Sequence, residues 1–241
     1  MHVEVVSPSI PLIFVKMNNM ERKEFYRHML PHFQVPGQVF FVTWCLKSAV
    51  PPKALVTHKQ QLMNLKSDIF YAQQSGKDTQ IVETLQMQYH IARKKYVKAY
   101  DDLLDSTKDL KVDLSSPACV EILKDTLLFY EAKKIENFAF CIMPNHVHWV
   151  FRTFEAEENG TSVYLQDILQ SVKRYSSNFI NKAIGRTGTL WQKESFDTTI
   201  RDEKHLWTAM EYTLNNPVKA GLVSSPEEWK GSWVKKGVPQ P

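Results

Sequence analysis

The sequence has few of the features that mark secreted, membrane-spanning or disulfide-linked proteins. Its only cysteines among 241 residues are Cys45, Cys119 and Cys141, which are scattered and odd in number. They are typical of reduced, buried thiols rather than of a disulfide framework or a zinc knuckle. No apolar run approaches the ~20 residues of a membrane span, and the first residues lack a secretory signal pattern. We therefore expect a cytoplasmic protein with no membrane contact.

The composition is that of an ordinary globular protein with a slight excess of positive charge. Hydrophobic residues make up 43% of the chain and charged residues 23%, without an internal repeat or a low-complexity tract. This length allows either one large domain or one domain that carries an insertion, and either would bury an ample core. The net charge of +4 favours an anionic partner but does not identify one.

The order of apolar patterns predicts an α+β fold with an antiparallel sheet covered by helices. A turn at Pro36-Gly37 precedes a β-branched and aromatic run over 38–46, which predicts a core strand. Two further strands are predicted at 135–142 and from His146 onwards, joined by the turn-forming Pro144-Asn145. Helices are predicted over 117–130, 161–184 and 203–216, with a short extended segment over 190–200.

A helical pattern interrupts this order between residues 57 and 106. Apolar residues recur every three or four positions from Ile81 to Leu103, and a shorter helix over 59–72 precedes them. Such a stripe is more often a packing surface than a chemical site. We predict a helical hairpin inserted after the first core strand.

Both ends of the chain carry weaker patterns. Residues 1–19 alternate loosely, as either a tail or an added edge strand would. The last helix is predicted to stop before Pro217 because a residue preceding proline disfavours helical geometry. The tail beyond Gly221 is predicted to be irregular.

Two histidines lie two residues apart in the strand that begins at His146. Alternate side chains of a strand share a face, so the imidazoles of His146 and His148 are predicted to lie side by side. Two neutral imidazoles on a rigid strand suit a divalent ion that keeps open positions for substrate. The alternative is a pair of polar residues that simply alternate out of a half-buried strand.

The last predicted helix offers a third ligand and a reacting group. Tyr212 and Asn216 are four residues apart and therefore share a helical face. An amide oxygen from Asn216 suits Mg²⁺ or Mn²⁺ rather than structural zinc. Tyr212 is then a candidate nucleophile towards a phosphodiester polarised by the ion. Each residue is also typical of a structural position, Tyr212 at a core edge and Asn216 near a helix end.

Several motifs occur in one order along the chain: Pro-His-Phe at 31–33, Met143–His148, Trp191-Gln192, Ile200–Glu203 with His205-Leu206, and Tyr212–Val223. Together they resemble the REP-associated tyrosine transposases, which belong to the single-tyrosine HUH transposases of bacterial insertion sequences. The resemblance covers roughly 31–46 and 116–223. It implies an RRM-like (ferredoxin-like) fold and metal-dependent cleavage of single-stranded DNA near a hairpin. It also implies His146, His148 and Asn216 as metal ligands, and Tyr212 as the residue that joins the 5′-phosphate.

The resemblance implies a domain organisation as well. A HUH transposase-like catalytic domain is expected over 31–223, with the helical insertion at 57–106 left without a role. Residues 1–30 would form an N-terminal extension and 224–241 a C-terminal tail. The expected partner of this monomer or homodimer is single-stranded or hairpin DNA, whose sequence cannot be read from the chain.

The segment from 170 to 204 is the predicted DNA-binding surface. Seven Lys and Arg residues outnumber four Asp and Glu residues there and alternate with aromatic residues, although a solvated helix face would look similar. Tyr175 is also a rival nucleophile, but Phe179 stands where a metal-binding amide would be needed, so Tyr212 is preferred. The candidate DNA-contacting residues are Arg174, Tyr175, Lys182, Arg186, Trp191, Lys193 and Arg201.

Three functions follow from these patterns. The first is a transposase-like enzyme that cuts and rejoins DNA through a phosphotyrosine. The second is a nucleic-acid-binding protein on the same fold that no longer cuts, and the third is a metal-dependent phosphodiesterase that uses water. The intact set of two histidines, tyrosine and asparagine favours the first.

Overall fold

The β-branched and aromatic runs of the sequence form strands, and its amphipathic runs form helices. The computed structural model describes residues 25–27, 31–51, 53–106 and 110–237. Within them the strands are β1 (Phe25–Arg27), β2 (Pro31–Phe33), β3 (Val39–Cys45), β4 (Ile135–Ile142), β5 (His146–Thr153), β6 (Phe196–Ile200) and β7 (Ser232–Val234). The helices are α1 (Val56–Gln74), α2 (Thr79–Ser106), α3 (Pro117–Leu128), α4 (Leu165–Ala183) and α5 (Glu203–Lys219), followed by a 3₁₀ turn at Pro226–Glu228.

A five-stranded antiparallel sheet organises the domain. Its strand order is β6-β3-β5-β4-β7, while β1 and β2 pair separately. The chain order β3, α3, β4, β5, α4, β6 is that of the split βαββαβ motif, so the predicted α+β, ferredoxin-like fold is confirmed. The central strand β5 lies antiparallel to both β3 and β4.

The two faces of the sheet pack against different helices. Phe40, Trp44 and Trp149 belong to the large core that includes α3 and α4. On the other face, Val150 of β5 packs with Met210 of α5 in a smaller cluster. Because strand side chains alternate between faces, His146 and His148 share the α5 face with Val150.

The predicted helical hairpin at 57–106 is present as α1 and α2. Its C-terminal part packs on the domain, because Tyr96, Tyr100 and Leu104 of α2 are buried. The Tyr100 ring lies 4.4 Å from that of Phe196, which is on the edge strand β6. The insertion therefore covers the sheet beside β3 and β6.

The prediction that the last helix stops before Pro217 is wrong. Helix α5 continues through Pro217 to Lys219. A proline removes one backbone N–H, yet the Ala220 N–H still reaches the Asn216 carbonyl at 2.9 Å and closes the final turn. Tertiary packing of the buried Asn216 and Pro217 outweighs the local preference.

The prediction of an irregular tail is also wrong. Strand β7 pairs with β4, and the Trp233 ring stacks on Phe140 with centroids 5.4 Å apart. The Trp229 indole N–H donates to the Ile142 carbonyl over 2.9 Å. A strand of three residues is too short to show an alternating hydrophobic pattern in the sequence. Its position is therefore determined by these tertiary contacts. The expectation for 1–19 lies outside the described residues.

No helix in the described ranges is long and apolar enough to serve as a membrane span.

We predict that Gly231→Ala destabilises the attachment of β7. A Cβ at position 231 would lie 2.5 Å from the Ile142 carbonyl oxygen and 2.7 Å from the Trp229 indole nitrogen, so backbone must move. Overpacking of this kind costs about 1–3 kcal/mol, measurable by urea unfolding. The control Gly160→Ala meets no atom within 4 Å and carries only the strain of its positive φ. A smaller loss for Gly231→Ala than for this control would contradict the prediction.

Candidate active site

Two buried imidazoles face each other at the centre of the sheet. His146 is 1% exposed and His148 is fully buried. Their Nε2 atoms are 3.0 Å apart. Strand alternation brings the rings to one face, as predicted from the sequence.

The other ring nitrogens have fixed partners. His146 Nδ1 lies 2.6 Å from the Asn145 Oδ1, and the Asn145 Nδ2 donates to the Leu104 carbonyl over 2.8 Å. His146 Nδ1 therefore donates, which leaves a lone pair on its Nε2. His148 Nδ1 lies 2.8 Å from the Thr43 hydroxyl, which can donate or accept. Outer partners that orient imidazoles in this way are typical of metal-binding histidines.

Both imidazoles are neutral at physiological pH. Burial lowers the pKa of His146 to about 3, with the positive charge of Lys219 adding to the effect. Burial, followed by the proximity of His146, holds the pKa of His148 well below its usual value. Neutral imidazoles are the form that can bind a cation.

Asn216 places an unsatisfied amide beside the two rings. Its side chain is buried, and neither Oδ1 nor Nδ2 has a hydrogen-bond partner of good geometry among the described residues. It nevertheless lies close enough to raise the pKa of both imidazoles slightly. A buried amide without a partner is costly, and a cation held between its oxygen and the two Nε2 atoms would satisfy that oxygen.

The residues present fit a divalent ion with mixed nitrogen and oxygen ligands. Two nitrogens 3.0 Å apart can both contact one ion, since metal–imidazole bonds are about 2.1 Å long. In the part of the chain that the structure describes, no three His, Cys, Asp or Glu side chains are grouped to bind a metal. The third protein ligand would therefore be the amide of Asn216, as the sequence predicts.

Tyr212 lies beside the imidazoles in the same chain. Its ring meets that of His148 edge-on, with centroids 5.4 Å apart, and that of Phe41 at 5.8 Å. Its hydroxyl donates to Asp101 Oδ2 over 2.8 Å. Burial, and then the Asp101 carboxylate, raise the pKa of Tyr212, so that its phenol is protonated.

The aspartate that binds Tyr212 comes from the helical insertion, which the sequence left without a role. Asp101, Asp102 and Asp105 lie near the end of α2, facing Lys219 of α5. The Lys219 ammonium is 2.9 Å from Asp105 and 3.8 Å from Asp102. Burial raises the pKa of Asp101 to about 6, against the opposing effects of its hydrogen bond from Tyr212 and of Lys219.

The predicted DNA-contacting residues of α4 lie in the other helical layer. Arg174, Tyr175 and Lys182 are exposed. The Tyr175 ring stacks on that of Phe179 with centroids 4.2 Å apart, which makes an exposed aromatic pair. Tyr175 is thus separated by the sheet from the two imidazoles, while Tyr212 adjoins them.

The remaining predicted DNA-contacting residues differ in accessibility. Lys193 and Arg201 are exposed. Arg186 is half-buried and donates to the side chain of Asn181 and to the Thr189 carbonyl. Trp191 is 5% exposed, and its indole N–H donates to Ser176 over 3.0 Å. This placement favours a core role for Trp191, because its face is not presented to a DNA base.

Lys173 is a structural residue that sequence reasoning missed. Its ammonium donates to the carbonyls of Gln192, Lys193 and Glu194 at 3.1–3.3 Å. Burial lowers its pKa to about 8. It therefore holds the 192–194 loop against α4, beside a cavity of about 450 Å³ that α1 and α2 close on the other side. Four lysines line this cavity: Lys47, Lys59, Lys66 and Lys193.

The amino-acid sequence is similar to that of a protein assigned to one transposase family. No family model matches the chain. A candidate REP-associated tyrosine transposase of Haemophilus influenzae is 26% identical over an alignment of 110 residues that covers 43% of this chain and 61% of that protein. The resemblance to REP-associated tyrosine transposases is confirmed.

Two further proteins are similar to the chain. An uncharacterised Haemophilus influenzae protein is 26% identical over 107 residues, covering 38% of this chain and 58% of that protein. The chain thus spans about three fifths of the curated relatives that it matches. A solved REP-associated tyrosine transposase bound to a REP hairpin is 17% identical, with a TM-score of 0.40, and covers 86% of this chain and 80% of that chain.

We predict that His146 makes stability depend on pH. Its folded pKa is about 3 and an unfolded histidine titrates near 6.5, so as the pH falls the unfolded state takes up the proton first. Stability is therefore lost as the pH falls below about 6.5. When the pH falls from about 7.5 to about 5, the free energy of unfolding of His146→Gln should therefore decrease by about 2 kcal/mol less than that of the wild type.

This prediction is tested by urea unfolding at several pH values in a chelating buffer, where no ion competes with protons. The control His90→Gln changes an exposed histidine of α2 and should keep the wild-type slope. Identical pH slopes for His146→Gln and the wild type would contradict the prediction.

Proposed function

We propose that the protein cleaves and rejoins single-stranded DNA through a covalent 5′-phosphotyrosine intermediate, as a transposase-like enzyme. The observation that carries the proposal is the convergence of Tyr212, Asn216 and two neutral imidazoles within one chain. A binding protein has no need for a phenol beside two buried imidazoles whose Nε2 atoms face each other at 3.0 Å. The similarity to REP-associated tyrosine transposases supports repeat-derived hairpins as the DNA.

His146, His148 and Asn216 would hold Mg²⁺ or Mn²⁺. Bound there, the ion would act as a Lewis acid on the scissile phosphate. Asn145 orients the His146 ring, and Thr43 orients the His148 ring. Thr43 can accept from His148 Nδ1, in which case both Nε2 lone pairs are available to the ion.

Tyr212 would supply the nucleophile. Its oxygen bonds to phosphorus and the bond from phosphorus to the 3′ oxygen breaks, which leaves a 3′-hydroxyl and a 5′-phosphotyrosine. The reverse attack by a 3′-hydroxyl rejoins DNA without an external energy source. Packing of the Tyr212 ring against His148 and Phe41 limits its orientations, so the phenol does not have to be ordered during the reaction.

Two basic surfaces would hold the DNA. The cavity between the insertion and the 189–196 segment combines lysines with the half-buried Tyr89 and Phe196 beside the same face as the candidate active site. The outer face of α4 carries Arg174, Lys182 and the stacked aromatic pair. Phosphate contacts and base stacking favour single strands without requiring sequence readout. The stem of a DNA hairpin and its single-stranded flank would then occupy different ones of these two surfaces.

We predict that Tyr212→Phe abolishes a denaturation-resistant adduct with labelled hairpin DNA in the presence of Mn²⁺. Loss of the nucleophile should reduce the adduct by at least about 10³-fold, since no other group forms the covalent bond. The control Tyr175→Phe removes an exposed hydroxyl of α4 and should retain the adduct at saturating DNA. An adduct lost only in Tyr175→Phe would contradict the assignment. Cleavage without an adduct would favour a water-using phosphodiesterase, and a gel shift alone a binding protein.

We predict that Asn216→Ala weakens Mn²⁺ binding, because it removes the oxygen ligand and leaves the two imidazoles. A loss of at least about 10–100-fold in affinity by isothermal titration calorimetry is expected, since removal of a mere outer partner of a metal ligand already costs that much. The control Asn178→Ala truncates an exposed amide of α4 and should bind Mn²⁺ as the wild type does. Equal affinity for Asn216→Ala and the wild type would remove Asn216 from the ligand set.

A further inference from the structure

We propose that Asp101, contributed by the inserted helical hairpin, is the general base that accepts the phenolic proton of Tyr212. The inference rests on the proposed function and adds a catalytic residue to it. It also gives the insertion a role, since the carboxylate and the nucleophile are 111 residues apart in sequence and meet only because α2 returns to the sheet.

The contact between the two groups has the geometry of proton transfer. Tyr212 Oη lies 2.8 Å from Asp101 Oδ2, within the 2.6–3.2 Å range expected of a general base and its proton. The nucleophilic oxygen is the atom that the carboxylate touches. Among the described residues, Asp101 is the titratable side chain that accepts a hydrogen bond from this hydroxyl.

Buried neighbours on both sides fix the position of Asp101. The Tyr100 hydroxyl lies 2.9 Å from Cys45 Sγ on β3 and donates to Gln192 at 3.2 Å. One turn later, the Leu104 carbonyl accepts from Asn145, the residue that orients His146. The end of α2 is thus tied to the strand and the turn that carry the candidate metal site. This attachment orders the carboxylate before substrate binds.

The charges around Asp101 leave it able to accept a proton at neutral pH. Tyr212 and Lys219 face it from α5, and Asp102 and Asp105 lie on its own helix. Lys219 pairs with Asp105 and Asp102 and so offsets part of their repulsion. Burial raises the pKa of Asp101 to about 6, so the carboxyl is ionised above that pH and is a stronger base than an exposed aspartate.

The proposed step balances in both directions. In cleavage, the Tyr212 O–H bond breaks and its proton moves to Asp101 Oδ2, while the tyrosine oxygen bonds to phosphorus and the 3′ oxygen departs and takes a proton from water. In rejoining, a 3′-hydroxyl attacks phosphorus and loses its proton to water, and the protonated Asp101 returns its proton to the departing tyrosine oxygen.

The test measures single-turnover adduct formation by Asp101→Asn with saturating hairpin DNA and Mn²⁺. Asparagine keeps an oxygen that accepts the Tyr212 hydrogen bond but cannot take its proton, so positioning is retained while base catalysis is lost. We expect a rate loss of about 10²–10⁴-fold with DNA affinity unchanged. The rise in wild-type rate near pH 6 should be absent from the variant, and Asp101→Glu should recover part of the rate.

Asp102→Asn is the matched control, because it removes the same charge at the next residue of α2, where the side chain is exposed. It should keep most of the wild-type rate and the rise of that rate with pH, with the midpoint slightly lower because the Asp102 charge is the smallest of those that raise the pKa of Asp101. Equal losses of rate in the two variants would show that Asp101 acts only through its negative charge and would overturn the proposal. A faster Asp101→Asn would show that the carboxylate restrains the nucleophile, which also overturns it.

The same experiment separates this proposal from the proposed function. Absence of a Tyr212-dependent adduct in the wild type would contradict the function and, with it, the role of Asp101. An adduct formed by Asp101→Asn at the wild-type rate would overturn the role of Asp101 alone.

Discussion

The burial of two neutral imidazoles on the central strand is the constraint on which the candidate site depends. His146 and His148 are held with their Nε2 atoms 3.0 Å apart, and Asn145 and Thr43 occupy their other nitrogens. Without a shared proton or a cation, two lone pairs at this distance repel each other. The fold therefore maintains two nitrogen ligands that one ion could contact, next to a buried amide that has no hydrogen-bond partner of good geometry among the described residues.

The antiparallel sheet brings the other groups to this pair. Strand β3 supplies Thr43 opposite His148, and α5 lays Tyr212 and Asn216 across the same face. The inserted hairpin closes the site from the side with Asp101. A two-residue period puts the histidines on one face of the strand, and a four-residue period puts Tyr212 and Asn216 on one face of the helix. The meeting of these two pairs with each other and with Asp101 requires long-range contacts.

The parts of this arrangement that follow from local periodicity could be predicted from the sequence. The strand bearing His146 and His148, the shared face of Tyr212 and Asn216, and the helical hairpin are of this kind. Contacts between distant segments could not be predicted in this way. Asp101 sits in an ordinary amphipathic helix, and nothing in its spacing indicates that it meets Tyr212. The basic neighbours of Trp191 predict a DNA-stacking residue, but in the structure its side chain is buried against the core. Tertiary packing also explains why helix α5 continues through Pro217 and why the tail forms strand β7, neither of which local sequence preferences indicate.

The most direct measurement of the central claim is anomalous diffraction from crystals of the protein grown with Mn²⁺. The account predicts one ion in contact with His146 Nε2, His148 Nε2 and Asn216 Oδ1, beside the Tyr212 ring. Crystals in which the two Nε2 atoms remain in direct hydrogen-bond contact at saturating Mn²⁺, with no ion between them and Asn216, would contradict it.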